Sequence, residues 1–278
     1  MDQPAGGGHA ALGERLYAAF VVLVTNAIPI YGVIRLHWSV ANVLVLFWVE
    51  NLLVAAFTCL RIAVHRALTR KRGHWRSGQL GAESSDAVGR GATLLGDYAT
   101  IAFVFTFAHG VFVLAITFIL GHNLPNEPNW HFSFDALRQG ALLLAGVLAA
   151  GFLADLPGMR ERPFAWIRLV VQQRMGRVLV LHLAIIFGMM AMAATDSPLG
   201  ILYILIGLKT LTEIGAVIGQ TSSAQNSAEP PAWSLKLVDK LGKDKGGAEE
   251  FAKKWHADQE QARRNAIEDE EVLPNPPR

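Results

Sequence analysis

Apolar residues in this chain come in long blocks, not in strict alternation. Six stretches, 16–34, 40–64, 97–120, 134–155, 175–194 and 198–219, each have the length of roughly 20 residues that carries a helix across a bilayer. In lipid every backbone N–H and C=O must be satisfied within its own segment, so such runs are read as helices. The pattern predicts an all-α, polytopic membrane protein with six transmembrane helices filling 16–219. Residues 1–15 carry no basic leader region and no small-x-small cleavage site, so the first apolar run reads as an uncleaved helix behind a disordered N-terminus. The tail, 220–278, reads as a Ser-, Ala- and Pro-rich linker to 231, then a charged helix over 248–271. That helix has only a thin apolar stripe of Phe251, Trp255 and Ile267, and residues 274–278 are expected to be disordered.

Composition sharpens this picture. Hydrophobic residues make up 52% of the 278, charged residues only 17%, too apolar a balance for an ordinary soluble domain. The lone Cys59 excludes an intramolecular disulfide. A net charge of +2 conceals strong segregation. The second loop holds Arg66, Arg70, Lys71, Arg72, Arg76 and Arg90, and the fourth holds Arg160, Arg162, Arg168 and Arg174. The first has only Arg35, and the third and fifth have no Lys or Arg. Positive charge resists translocation, which puts loops two and four, and with six spans both termini, in the cytoplasm.

The basic loops 65–96 and 156–174 are expected to meet anionic lipid headgroups. The second of them mixes Phe164, Trp166, Ile167, Leu169 and Val170 with its arginines, like a short helix lying on the inner leaflet. Trp38 and Trp130 fall at outer span ends, where an indole suits the headgroup region. On span four, Ala141, Ala145, Gly146, Ala149 and Ala150 suggest close helix packing. Zinc spacings, phosphate-binding glycine loops and internal repeats are missing, and nothing points to nucleic acid. Homo-oligomerisation is left open.

The candidate chemistry lies where polar residues interrupt the apolar runs. Glu50 and Asn51 sit mid-span in the second run, His109 in the third and Lys209 in the sixth. His182 and Glu213 lie nearer the cytoplasmic side, and Asn26 is central in the first run, three residues before Pro29. Ionisable groups at such depth are costly unless paired or functional.

Three readings compete for this cluster of Asn26, Glu50, Asn51, His109, His182, Lys209 and Glu213. In the first, the groups satisfy one another and hold the bundle together, Lys209 pairing with Glu50 or with Glu213. In the second, Glu50, His109 and His182 bind zinc or a similar divalent metal in an intramembrane hydrolase, with Glu213 orienting a histidine or acting as base. The third is a small proton- or ion-coupled transporter, with histidine changing charge near neutral pH. Phe105-x-x-x-His109 resembles one motif of the bacterial immunity and prenyl-protein proteases. Their paired-Glu motif followed by Arg is missing here, because Asn51 follows Glu50, and Ile186 stands four residues after His182 where those enzymes carry Asn or Asp.

A broader likeness covers 16–219. Asn26-x-x-Pro29 with Gly32, Trp38-Ser39, Trp48-x-Glu50-Asn51, His109-Gly110-x-Phe112, Leu181-His182 with Gly188, and Leu208-Lys209-Thr210 together resemble a bacterial family of polytopic membrane proteins of unknown function. Phe47 stands where that family usually has Tyr, and Glu213 where it often has Asp. The resemblance implies a shared membrane fold in a bacterial cytoplasmic (inner) membrane, with the polar residues in matching places. It implies no activity.

Overall fold

The computed structural model describes residues 7–76, 93–123, 130–195, 199–219, 229–241 and 247–274. The helices are α1 (Gly7–Leu36), α2 (Val40–Thr69), α3 (Leu94–Asn123), α4 (Phe134–Asp155), α5 (Phe164–Thr195), α6 (Leu199–Gly219), α7 (Ala232–Leu241) and α8 (Gly247–Asp269). A short 3-10 turn, Arg72–Trp75, follows α2. Each predicted span falls on one of α1–α6. Among the described residues, Val40–Thr69, Leu94–Ile119 and Phe134–Asp155 are long and apolar enough to cross a membrane. Shorter apolar runs, Val22–Leu36 and Tyr203–Thr212, lie in α1 and α6.

Local chemistry sets the helix ends. The Ser39 hydroxyl accepts the Asn42 N–H at 3.1 Å and caps α2, and Ser133 caps α4 in the same way through Ala136. At the end of α1, His37 takes a left-handed conformation with φ 54°, and the Trp38 N–H reaches back to the Gly32 carbonyl at 3.0 Å. That bond reverses the chain within three residues and carries it into α2.

α2 is the centre of the bundle, touching α1, α3, α4, α5 and α6, while α5 and α6 pack along each other. Around its N-terminal half, Trp38, Val43, Leu46, Phe47, Val113, Trp130, Leu144 and Leu205 form one buried cluster. Trp38 and Trp130 are therefore core residues, 6% and 3% exposed, and not the interfacial rings expected from their positions. Trp38 fits because two helices make room for it. A Cβ at Gly32 would come within 2.1 Å of its ring, and one at Gly140 within 2.9 Å.

Of the small residues of α4 expected to pack closely, Ala141 lies against the first cluster, and Ala145 and Ala149 are half-buried. Gly140, Leu144, Leu148 and Gly151 face the bundle, whereas Gly146 and Ala150 are exposed and Gly146 has open space beside it. Trp48 closes α2 against α3. Its indole N–H donates to the Thr106 carbonyl at 2.8 Å, and its ring lies where a side chain at Gly110 would stand.

A second cluster sits at the other end, joining Ile62 of α2, Leu94, Tyr98 and Ala102 of α3, and Phe164, Ile167 and Val171 of α5. The amphipathic segment of loop four is thus no separate surface helix. It is the first part of α5, its apolar face is buried in protein, and Phe164 covers Gly73 of the 3-10 turn. Two further differences concern the ends. Residues 7–15, expected to be disordered, are helical in α1. The linker assignment stopped short of α7, whose Ser234 is buried and donates its hydroxyl to the Pro231 carbonyl. Residues 1–6, 220–228 and 275–278, covering the rest of the expected disordered ends and linker, lie outside the described residues.

Candidate functional site

Three of the predicted polar residues meet. Lys209 extends from α6 so that its Nζ lies 3.1 Å from Glu50 Oε1 on α2, and the side chains are only 7% and 2% exposed. The same ammonium donates to Asn26 Oδ1 on α1, and sits 5.2 Å from the centre of the Phe47 ring. One cation thereby faces one carboxylate, an amide oxygen and an aromatic face, the partners a desolvated ammonium favours. The spacing explains how the helices reach this point. Phe47 and Glu50 are three residues apart on one face of α2, and Pro29 lies buried one turn beyond Asn26 without ending α1.

The remaining candidates are placed less centrally. Asn51, next to Glu50 in sequence, turns to a neighbouring face and is half-buried. His109 on α3 is 5% exposed, and its Nδ1 donates to the Phe105 carbonyl at 2.6 Å, which assigns the acceptor role to Nε2. So the Phe105-x-x-x-His109 spacing serves an internal helix bond. His182 and Glu213 lie on α5 and α6, and their side chains are outside the described residues. Among the described residues no group of three His, Cys, Asp or Glu converges as a metal site would require.

A second polar network, at the far end of α2, was missed by sequence reasoning. Arg61 Nε donates to Asp155 Oδ2 at 2.9 Å, and Arg162 reaches the other oxygen of the same carboxylate at 3.2 Å. The Arg162 guanidinium also stacks on Trp166, 4.3 Å from its ring centre. One turn beyond Arg61, His65 is fully buried against His74, with His65 Nδ1 and His74 Nε2 2.8 Å apart.

The proton positions of this pair follow from its partners. His65 Nε2 faces the Arg162 carbonyl at 3.1 Å, and a carbonyl only accepts, so that nitrogen carries the hydrogen. In a neutral ring Nδ1 is then the acceptor, and His74 donates to it from Nε2. His74 Nδ1 is left as a buried lone pair without a partner among the described residues. Burial, followed by the neighbouring His65, Arg66 and Lys71, pushes the His74 pKa down to about 3. The sequence signal was there: Glu50, Val54, Thr58, Arg61, His65 and Thr69 recur every three or four residues and form one buried stripe along α2.

The C-terminal segment closes over this end. Lys71 pairs with Glu270 at 2.5 Å, Arg72 with Glu271 at 2.9 Å, and Arg76 with both Glu268 and Asp269. Backbone bonds from Arg72 to Glu271 and from Leu273 to Arg70 frame an antiparallel bridge between Lys71 and Val272. Burial opposes ionisation of Glu270, but hydrogen bonds from Lys71 and from the backbone of Phe164 and Ala165 hold its carboxyl below the usual range.

At the opposite end Asn42 ties α2 to α4. Its amide donates to the Ser133 carbonyl at 2.6 Å, and its oxygen accepts the Ser133 N–H at 2.9 Å. A cavity of about 420 Å³ opens nearby, lined by Val45, Leu114, Thr117, Phe118, Trp130 and Phe132 among others.

A family model matches residues 10–230, the greater part of the chain. The chain belongs to the family of unknown function DUF6498. No curated protein and no solved structure matches it. The DUF6498 region contains the Asn26–Glu50–Lys209 triad, the Arg61–Asp155–Arg162 network and the histidine pair. It ends before α7, so the acidic segment docked on Lys71, Arg72 and Arg76 comes from outside it.

Proposed function

We propose that this DUF6498 chain is a six-span protein of the bacterial cytoplasmic membrane, with both termini in the cytoplasm. In this reading the Asn26–Glu50–Lys209 triad locks α1, α2 and α6 together as a neutral unit. The carrying observation is the Lys209–Glu50 pair, 3.1 Å apart and sealed from the surroundings. Removing one partner of such a pair strands a charge in a medium that cannot solvate it.

The orientation draws on two independent supports. Basic residues gather in loops two and four. In addition, residues 268–273 touch 70–76, so the number of crossings between them must be even, as four spans α3–α6 would give.

The metal-hydrolase reading loses its carboxylate here. A divalent cation at Glu50 would have to displace an ammonium already bound there, and like charges oppose that exchange. A second reading, a proton- or ion-coupled pathway, draws on the buried polar stripe that continues from Glu50 through Thr58 and Arg61 to His65.

A double-mutant cycle tests the lock. Lys209→Met and Glu50→Gln are each expected to lower stability in detergent by about 3 kcal/mol, and the double variant to recover a large part of that loss. Single variants as stable as the parent would sink it. Proton flux into proteoliposomes that disappears in a folded Glu50→Gln variant would favour the pathway instead.

A further inference from the structure

The residues 70–76 occupy a special depth. α2 runs for 30 residues, about 45 Å of helix at 1.5 Å per residue, which exceeds a hydrocarbon core of about 30 Å. The segment that follows it therefore emerges at headgroup level, and it presents Lys71, Arg72 and Arg76 on one side. In a membrane protein such a cationic surface normally meets lipid phosphate. Here it meets the carboxylates of the chain's own C-terminal segment.

The way Glu270 is held is the informative detail. One of its oxygens takes the Lys71 ammonium, and the other accepts the backbone N–H of Ala165 at 3.1 Å, in the first turn of α5. A lysine beside free N–H groups at a helix start is the chemistry that binds a phosphate oxyanion. Arg76 grips Glu268 and Asp269, and Arg72 grips Glu271. Most of these side chains are a quarter to a half exposed, and exposed ion pairs are individually weak and screened by salt. The contact is therefore of a kind that a denser anion can displace.

We propose that Lys71, Arg72, Arg76 and the start of α5 form a binding site for anionic lipid headgroups, and that residues 268–271 of the same chain occupy it as an internal competitor. The acidic segment and the lipid phosphate use the same donors, so one excludes the other. This deepens the proposed function and rests on the orientation given there.

The antiparallel bridge supplies the test. Its flanking hydrogen bonds make Lys71 and Val272 a non-hydrogen-bonded pair, with α-carbons about 4.5 Å apart, close enough for a disulfide. In a Cys59→Ser background, Lys71→Cys with Val272→Cys should crosslink within one chain under mild oxidation in uncharged micelles. Adding phosphatidylglycerol should slow the crosslinking about tenfold through the remaining basic residues, and phosphatidylcholine should leave it unchanged. With Lys71 intact, Glu268→Gln/Glu270→Gln/Glu271→Gln should retain several-fold more phosphatidylglycerol by native mass spectrometry, and Arg72→Gln/Arg76→Gln less.

Failure to crosslink would overturn the docking. Equal slowing by both lipids, or no gain in lipid on neutralising the acidic segment, would overturn the competition. Equal slowing by inorganic phosphate would assign the site to free phosphate and not to lipid, and a crosslink between two chains would overturn the internal nature of the competitor. Orientation is read separately, by labelling Val272→Cys with an impermeant thiol reagent in inverted vesicles against spheroplasts. Labelling only in spheroplasts would sink the orientation, and with it the lipid leaflet assigned here, whatever the micelles show.

Discussion

The two buried polar networks of this protein solve the same problem in opposite ways. Asn26, Glu50 and Lys209 balance one positive against one negative charge and shut the pair inside three helices. The network at the C-terminal end of α2 is larger, richer in cations and partly exposed. There Asp155 serves two arginines, two histidines share one hydrogen bond, and the last acidic residues of the chain neutralise the rest. The contrast follows from solvent. Where no water can help, charges must be met in place, whereas at a partly exposed end the surplus can be met by a segment from elsewhere in the chain.

The comparison breaks first at its strongest point. Lys209→Met should cost about 3 kcal/mol of stability, because the buried Glu50 carboxylate loses the ammonium beside it. Asp155→Ala should cost less, about 2 kcal/mol, since Asp155 and Arg162 are partly exposed and Arg162 can gain water. Thermal or denaturant unfolding in detergent ranks the two, and equal losses would mean that the two environments do not differ as described.

Acid acts on the second network through His74. His74 is held neutral when folded, with a pKa of about 3 against an ordinary 6.5. Between those values the unfolded chain takes up a proton that the folded chain refuses. Stability should therefore be flat above pH 6.5 and fall by about 1.4 kcal/mol for each unit below it. A His74→Gln variant should lose that part of the slope, whereas Lys209 variants should keep it.

Smallest is a pair of glycine substitutions. Gly110→Ala would push a methyl group into Trp48 and should cost about 1 kcal/mol, loosening α2 from α3 beside His109. Gly146→Ala meets nothing within 4 Å and should be neutral or slightly stabilising. Comparable losses at both would show that the α2–α3 contact is not as tight as the Trp48–Thr106 bond implies.

Which features were legible follows the same division. Glu50 and Lys209 stand out because a charge inside an apolar run is visible in a window of 20 residues. Arg61 and Asp155 carry the same kind of charge but sit where apolar runs end, and there they read as ordinary flanking residues. His65 was discounted as loop because the span was ended at Val64, one residue before it. Trp38 and Trp130 were read by depth alone, and the burial of Trp38 depends on glycines in α1 and α4. The acidic tail looked like solvated charge, since its partners lie nearly two hundred residues earlier in the chain.

By itself the sequence determined that the chain is helical, that it holds runs apolar enough for a membrane, and how those runs divide into helices. These are sums over neighbouring residues, and the bilayer imposes its constraint on each segment separately. Tertiary structure alone decided that Lys209 pairs with Glu50 and Asn26, that Trp48 needs Gly110, and that the last acidic residues pair with Lys71, Arg72 and Arg76. Each of these choices depends on which helix faces come together, and packing sets that through side chains distant in sequence.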